Sequence, residues 1–273
     1  MRGVWTTERV RAAEKRVFRT VPEPVVMRRA AFGVATCVIR LLGGAVGRRV
    51  VLLVGAGNNG GDALWAGAFL RRRGASVHAV LLAPDRAHPE GLAALRRLGG
   101  RVHAVDPNAN GGTENGTKGA KGTENDSEND SENDTEDQTK YETDAILDVI
   151  RSADVVIDGI VGISGRGPLR PTAAALVDAV TAPIIAVDLP SGVDPDTGAV
   201  AGPAVDASVT VTFGGRKPVH ALSPRCGTVE VVDAGLGAEL GAPDLVLLDA
   251  SDVAAAWPVP RARDDKYTQG VTG

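Results

Sequence analysis

Residues 50–70 read VVLLVGAGNNGGDALWAGAFL. Val50 to Val54 is an unbroken apolar run rich in β-branched residues, and a glycine follows at once. A strand buried on both faces of a parallel sheet has this look, because neither face can alternate with polar residues. Gly55-Ala56-Gly57-Asn58-Asn59-Gly60-Gly61 reads as the turn, where four glycines let the backbone take positive φ and let a ligand come close. Asp62 stands where a helix N-cap belongs, and Ala63 to Leu70 is expected to continue as the helix. Strand, glycine turn and helix in this order aim backbone N–H groups at an anion such as phosphate. The spacing Gly55-x-Gly57-x-x-Gly60 also fits a dinucleotide fingerprint, although a tight βα turn without a ligand fits it too. A turn alone has no need of the adjacent carboxamides Asn58 and Asn59. Their carbonyl oxygens suit a hard cation or a hydrogen-bonded ligand.

Outward from this stretch, helices and strands alternate. Thr6 to Thr20 carries Val10, Ala13 and Val17 on one face, an amphipathic helix that Pro22 and Pro24 break. Val25 to Leu42 is a second, more apolar helix ended by Gly43-Gly44. On the other side, Arg71-Arg72-Arg73-Gly74 closes the helix, Ser76 to Leu82 is a strand, Pro89 to Leu98 a helix and Arg101 to Val105 a short strand. Asp144 to Arg151 reads as a helix. Asp154 to Ile157 is a buried strand that ends in Asp158 and a second glycine-rich loop, Gly159 to Pro168. Pro171 to Val180 is a helix, and Ile184 to Val187 a strand that ends in Asp188. Ala207 to Phe213, Gly227 to Asp233 and Asp244 to Leu248 complete the strands. The fold class is α/β: a three-layer α/β/α sandwich with a Rossmann-like, mostly parallel sheet and two N-terminal helices. Ligands in such sheets bind beyond the carboxyl ends of the strands. Three such ends carry Asn58-Asn59, Asp158, and Asp188 with Ser191. Each acid taken singly reads as a loop cap; three at equivalent places point to one shared site.

The 273 residues are 43% hydrophobic but only 3% aromatic, so the core must come from Val, Ala, Leu and Ile. Cys37 and Cys226 have neither disulfide-framework nor zinc spacing and read as small buried apolar residues. The charged opening MRGVWTTERVRAAEKR has no signal-peptide apolar core, and no run approaches a membrane span, so a cytoplasmic chain is expected with no membrane partner. Residues 108–141 hold nine acids against three lysines, net −6, which leaves about +2 for the rest and no nucleic-acid face. That stretch repeats ENDS-like units without apolar partners and is expected to be a disordered surface insertion. It lacks the glycine and terminal glutamate of an EF-hand loop. His78, His88, His103 and His220 form no pair at ligand spacing, and Lys217, in a glycine-rich loop after a strand, reads as a solvated lysine in preference to one that reaches a phosphate. Asp85 is the acid nearest the place where a dinucleotide reader holds the ribose, but it follows Ala83-Pro84 and weakens a dehydrogenase reading.

GAGNNGGD, DVVIDGIVGISGRGPLR, AVDLPSGVDPDTG and VTVTFGGRKP, in this order and spacing, resemble the NAD(P)H-hydrate epimerase family, the YjeF N-terminal domain. RVRAAEKR and VVMRRAA resemble that family's opening helices, and the likeness runs from about Thr6 to Leu248 apart from the acidic insertion. The resemblance implies an isomerase that interconverts the epimers of hydrated NADH and NADPH (NADHX and NADPHX) and uses a potassium ion. It implies substrate contacts from Asn58, Asn59, Gly60, Gly61 and Asp62, from Gly162, Ile163, Ser164, Gly165, Arg166, Gly167 and Pro168, and from Asp188. It makes Asn59, Asp158 and Ser191 the potassium ligands, and a homodimer is common in the family. Asp188, ending a strand in the shared crevice, is the expected catalytic group. Ala63 departs from the family's usual glycine after GGD.

Residues 1–250 are then the epimerase domain. Residues 251–273, ending DDKYTQGVTG, resemble a linker and the opening of an ADP-dependent dehydratase domain, as in bifunctional members. The alternative from another class is a non-catalytic nucleotide-binding or interaction module on the same fold.

Overall fold

A computed structural model describes residues 1–105, 143–257 and 262–263. The run Arg49–Val54 is strand β2, buried from Val50 onward, and its alternate residues feed two different cores. Val50, Leu52 and Val54 pack with helices α2 (Glu23–Leu42) and α3 (Asn58–Arg71). Val51 and Leu53 pack on the opposite face with Ile146 and Ile150 of a helix over 143–151 (α5) and Ala173 and Leu176 of α6 (Pro171–Asp178). A strand covered on both faces must be apolar throughout, which is why the sequence pattern shows no alternation.

Around β2 the sheet has seven strands among the described residues: β3 (Ser76–Leu81), β4 (Arg101–Ala104), β5 (Val155–Gly159), β6 (Ile184–Val187), β7 (Val209–Phe213) and β8 (Thr228–Val232) complete it. Their spatial order is β4-β3-β2-β5-β6-β7-β8, and every neighbouring pair is parallel. The chain runs outward from β2 to β4, then returns to lay β5 against the other side of β2. This reversal makes the carboxyl ends of β2 and β5 the topological switch point of an open α/β sheet, the place where ligands bind in such folds. Helix α1 (Thr7–Val17) precedes α2, and α4 (Pro89–Arg97) follows β3. The glycine end expected after Leu42 is a Schellman motif: Gly43 has φ 66°, and the Gly44 N–H reaches Ile39 O at 2.9 Å.

Three expectations need correction. Helix α3 starts at Asn58, four residues before the expected cap at Asp62. Gly57, at φ 78°, is the N-cap and offers no side-chain hydrogen bond. The Gly61 N–H already reaches Gly57 O at 3.0 Å, so the free amides of the first turn belong to Asn58, Asn59 and Gly60. Two glycines in a first helical turn oppose helix propensity, but packing demands them. A Cβ on Gly60 would lie 2.3 Å from Gly55 O, and one on Gly61 2.9 Å from the His88 ring.

The second correction concerns the last expected strand. Leu245–Leu247 (β9) stands outside the main sheet and pairs antiparallel with an N-terminal strand, β1 (Arg2–Val4), that the sequence pattern does not announce. The third concerns the histidines. Parallel pairing of β3 with β4 brings His78 Nδ1 within 3.1 Å of His103 Nε2, although no group of three metal-ligating residues forms among the described residues. Cys37 and Cys226 are buried, as expected, and burial pushes both thiols up to about 11.

Past β8, α7 (Val219–Leu222) having preceded it, come α8 (Gly237–Leu240) and α9 (Ala250–Ala256), so the boundary expected at residue 251 falls in the first turn of a capped helix. The acidic stretch 108–141 and the segment 264–273 lie outside the described residues. No helix among the described residues is long and apolar enough to cross a membrane.

Candidate active site

Two glycine loops meet at the switch point. The Gly55 N–H donates to Gly159 O at 3.0 Å, and a Cβ on Gly55 would sit 1.9 Å from Ile160 O. Only glycine permits this approach. On the next turn Asn59 lays its carboxamide against the second loop, where a Cβ on Gly162 would lie 3.0 Å from Asn59 Oδ1. Asn59 Nδ2 is buried and has no partner among the described residues. Asn58, by contrast, points outward at the rim and donates to Glu23 Oε1 at 2.7 Å.

Asp158 and Ser191, 33 positions apart, form one unit. Asp158 is fully buried on β5, and its Oδ1 accepts from Ser191 Oγ at 2.7 Å and from the Ile160 N–H at 3.1 Å. Its Oδ2 accepts from the Ser191 N–H at 2.9 Å. Ser191 Oγ in turn accepts from the Val161 N–H at 2.9 Å and lies 3.3 Å from Val161 O. Burial pushes the Asp158 carboxyl up to about 6 even though these hydrogen bonds hold it down.

Asp188 closes β6 and is held from every side. Its φ of 69° makes it the one non-glycine residue with positive φ among the described residues, a conformation that costs an L-residue energy and recurs at functional sites. Its N–H donates to Val211 O at 2.7 Å. Its Oδ1 accepts from Lys217 Nζ at 2.5 Å and from Thr212 Oγ1 at 3.1 Å, while Lys217 Nζ also donates to Thr212 Oγ1 at 2.7 Å. Lys217 is only 2% exposed, which corrects the expectation of a solvated lysine. A buried ammonium requires a carboxylate partner, and the partner lies 29 positions earlier.

His220 completes the clamp. Its Nδ1 accepts from the Lys217 N–H at 2.9 Å, so the proton sits on Nε2, which donates to Asp188 O at 2.8 Å. Burial, reinforced by the Lys217 charge, lowers this imidazole to about 4 and keeps it neutral. Burial alone would raise the Asp188 carboxyl, but the Lys217 ammonium overrides it and holds the carboxyl below the usual range. Asp188 Oδ2 has no partner among the described residues.

Asp62 faces the same region from α3. It is buried, its Oδ1 has no partner among the described residues, and burial pushes its carboxyl well above the ordinary range. The charges of Asp188, Glu14 and Glu23 add to that push. Two carboxyls of this region are thus pushed in opposite directions, Asp188 down by the Lys217 ammonium and Asp62 up by burial. Glu14 comes from α1 and is itself raised, chiefly by burial. Arg11 on the same helix donates to Ile163 O at 3.1 Å and Ser164 Oγ at 3.2 Å, which ties α1 to the second loop. Arg166 turns away to Asp196 at 2.9 Å, and Ser164, Gly167 and Pro168 are exposed.

Lys217, Thr212, His220, Glu14 and Arg11 were not singled out as site residues by sequence. One signal was present: Thr210 and Thr212 interrupt what should be an apolar central strand, and both are fully buried. A buried hydroxyl in such a strand needs a polar partner.

The donor set beside this cluster fits a monovalent hard cation. Asp158 supplies one negative charge, and Ser191 Oγ, Val161 O and the Asn59 carboxamide supply neutral oxygens. The unpartnered Asn59 amide fits as well, since a half-turn of the carboxamide presents oxygen in place of Nδ2.

Comparison with known proteins agrees with this geometry. The family model for YjeF-related protein N-terminus matches residues 23–219. The bifunctional NAD(P)H-hydrate repair enzyme Nnr of Mycobacterium tuberculosis is 48% identical over 280 residues, covering all of this chain and 50% of that protein. The NAD(P)H-hydrate epimerase of Clavibacter michiganensis is 37% identical, covering 83% of this chain and 88% of that protein. This chain therefore spans about half the length of the bifunctional relatives it matches. Yeast ynu0 shares the fold, with a TM-score of 0.63 at 18% identity over 91% of this chain and 98% of that one. The chain belongs to the YjeF-related protein N-terminus family.

Proposed function

We propose that this chain is an NAD(P)H-hydrate epimerase, interconverting the R and S epimers of hydrated NADH and NADPH. The observation that carries the reading is the Asp188 carboxylate, ionised by a buried lysine and left with one oxygen that has no partner among the described residues. The names borne by the M. tuberculosis and C. michiganensis relatives support the same chemistry.

The reacting carbon of the substrate bears a hydroxyl and adjoins the ring nitrogen. Nitrogen's lone pair expels the protonated hydroxyl as water and leaves an iminium cation. Water then adds to either face and loses a proton, so epimers interconvert with no net consumption. Asp188 stabilises the cation by its charge and takes the proton from the returning water. Asp62, whose carboxyl burial pushes above the ordinary range, supplies the proton that the leaving hydroxyl needs, and the proton taken up by Asp188 returns to it through solvent. The free amides of Asn58, Asn59 and Gly60 at the start of α3 offer the phosphates an anion site. The loop Gly162–Pro168, held by Arg11, forms the opposite wall.

Asn59, Asp158 and Ser191 would hold a potassium ion, whose part is to tie three separate strand ends into one geometry. A chromatographic or NMR assay of epimer interconversion, with potassium present and absent, tests this reading. Asp188→Asn is expected to retain the fold and lose most of the turnover. Wild-type turnover in that variant would remove Asp188 from the chemistry.

A further inference from the structure

The Asp188 clamp does more than place a carboxylate. Of the two oxygens, Oδ1 is fully engaged by Lys217 Nζ at 2.5 Å and Thr212 Oγ1 at 3.1 Å. The backbone N–H and C=O are engaged by Val211 O and His220 Nε2. Every polar atom of the residue except Oδ2 has a protein partner. We propose that Lys217 is a positioning residue of the reaction: by binding Oδ1 it aims Oδ2 alone at the substrate's water, and it sets a positive charge beside that carboxylate. The inference rests on the epimerase reading for its kinetic consequence, but the ion pair can be tested without any turnover.

The geometry makes a dedicated role necessary. A lysine at 2% exposure sheds the hydration of its ammonium, and a long side chain loses rotamer freedom when fixed. Merely filling the space under β7 would be served by an apolar residue of similar length. Two features of the chain are built around the ammonium: buried Thr212 supplies its second acceptor, and His220 fixes the backbone on which it hangs, three residues along. The groups facing Asp188 are Lys217 and His220 from the segment after β7, Thr212 from β7, Asp62 from α3 and Glu14 from α1. His220 is neutral, and the carboxyls of Asp62 and Glu14 can only oppose ionisation of Asp188. Among the described residues, Lys217 is therefore the main positive side chain that holds it charged.

The test combines a carbon-13 NMR titration of the Asp188 carboxyl with the pH profile of kcat in three proteins. In the wild type, Asp188 is expected to titrate below 3.8, the unperturbed value. In Lys217→Met, its midpoint should rise by roughly 1–3 pH units, the usual effect of one close opposite charge. The acid limb of kcat should move with it while KM stays near wild type, because Lys217 is almost wholly buried. Lys217→Arg keeps the charge and should keep the limb in place.

A purely structural lysine would lower kcat in Lys217→Met without moving the limb, and that result overturns the proposal. So does a wild-type Asp188 that titrates at or above the unperturbed value, which needs no variant to fold. If Lys217→Met fails to fold, the wild-type titration and the Lys217→Arg profile decide. If the wild type interconverts no epimers, the functional reading fails, and the NMR titration still tests the ion pair.

Discussion

Acidification should strike this fold at His220. The unfolded chain's imidazole takes a proton near pH 6.5, whereas the buried one, clamped between the Lys217 N–H and Asp188 O, holds off until about pH 4. Across that window the unfolded state binds more protons, so stability falls as pH falls. A shift of this size corresponds to about 3 kcal/mol, complete near pH 4. Asp158 runs the other way. Its folded carboxyl is raised from 3.8 to about 6, so its contribution is present below 3.8 and is lost as pH rises through about 6. In wild-type protein the two nearly cancel, and a single pH titration would hide both. His220→Gln separates them. Its amide can still donate to Asp188 O, but it leaves the Lys217 N–H unpaired, which costs about 1–3 kcal/mol at pH 7. It carries no charge at any pH. Urea unfolding of both proteins from pH 7 to pH 4 gives a difference curve in which Asp158 drops out. The wild-type advantage should shrink by about 3 kcal/mol towards pH 4 and vanish or reverse there. A flat difference curve would refute the neutral, buried imidazole and with it the tautomer that holds Asp188.

Gly55→Ala forces a Cβ to within 1.9 Å of Ile160 O, a backbone atom that cannot swing aside. The two switch-point loops must part, and thermal or urea unfolding should show a loss of at least about 1–3 kcal/mol. Asp158→Asn puts a donor where both carboxylate oxygens now accept from Ser191. Stabilisation of the wild type that grows with potassium chloride, over sodium chloride at equal ionic strength, should be absent in this variant. Equal potassium dependence in the two proteins would take Asp158 out of the cation site.

Much of the fold was readable because the central strands carry their burial on their face. Val50 to Val54 and Ile184 to Val187 are apolar throughout, so a two-sided parallel sheet followed, and with it the rule that ligands gather at carboxyl ends. Asp158, Asp188 and Ser191 stood out because acids and hydroxyls are unusual directly after such strands, and the structure joins Asp158 to Ser191 at 2.7 Å. The start of α3 was misread because glycines signal a turn locally, whereas here they serve contacts with Gly55 and His88 that exist only in the folded chain. Lys217 was misread for the same reason: nothing in FGGRKP says that a carboxylate will arrive from a different strand. The pairing of β1 with β9 joins the start of the chain to its far end and has no local signature.

The sheet order and the Gly55-x-Gly57-x-x-Gly60 spacing would suit a nucleotide-linked hydride transfer, yet the crevice is furnished differently. Helices α1 and α2, placed before β2, bring Glu14 and Glu23 to the mouth of the site, so carboxyls surround the place where chemistry would occur. Asp85, the acid nearest a ribose position, sits in a 3-10 turn over Pro84–Arg86. The backbone at Asp188 adds a further argument. Holding an aspartate at φ 69° costs on the order of 1–3 kcal/mol, and a structural cap could be made from an unstrained residue. Here the strained residue is engaged at its N–H, its C=O and one carboxylate oxygen, and only the other oxygen is left over. A fold that fixes three polar groups to free a fourth has a use for the fourth, and an ionised oxygen among carboxyls that burial pushes up suits the movement of protons rather than hydride.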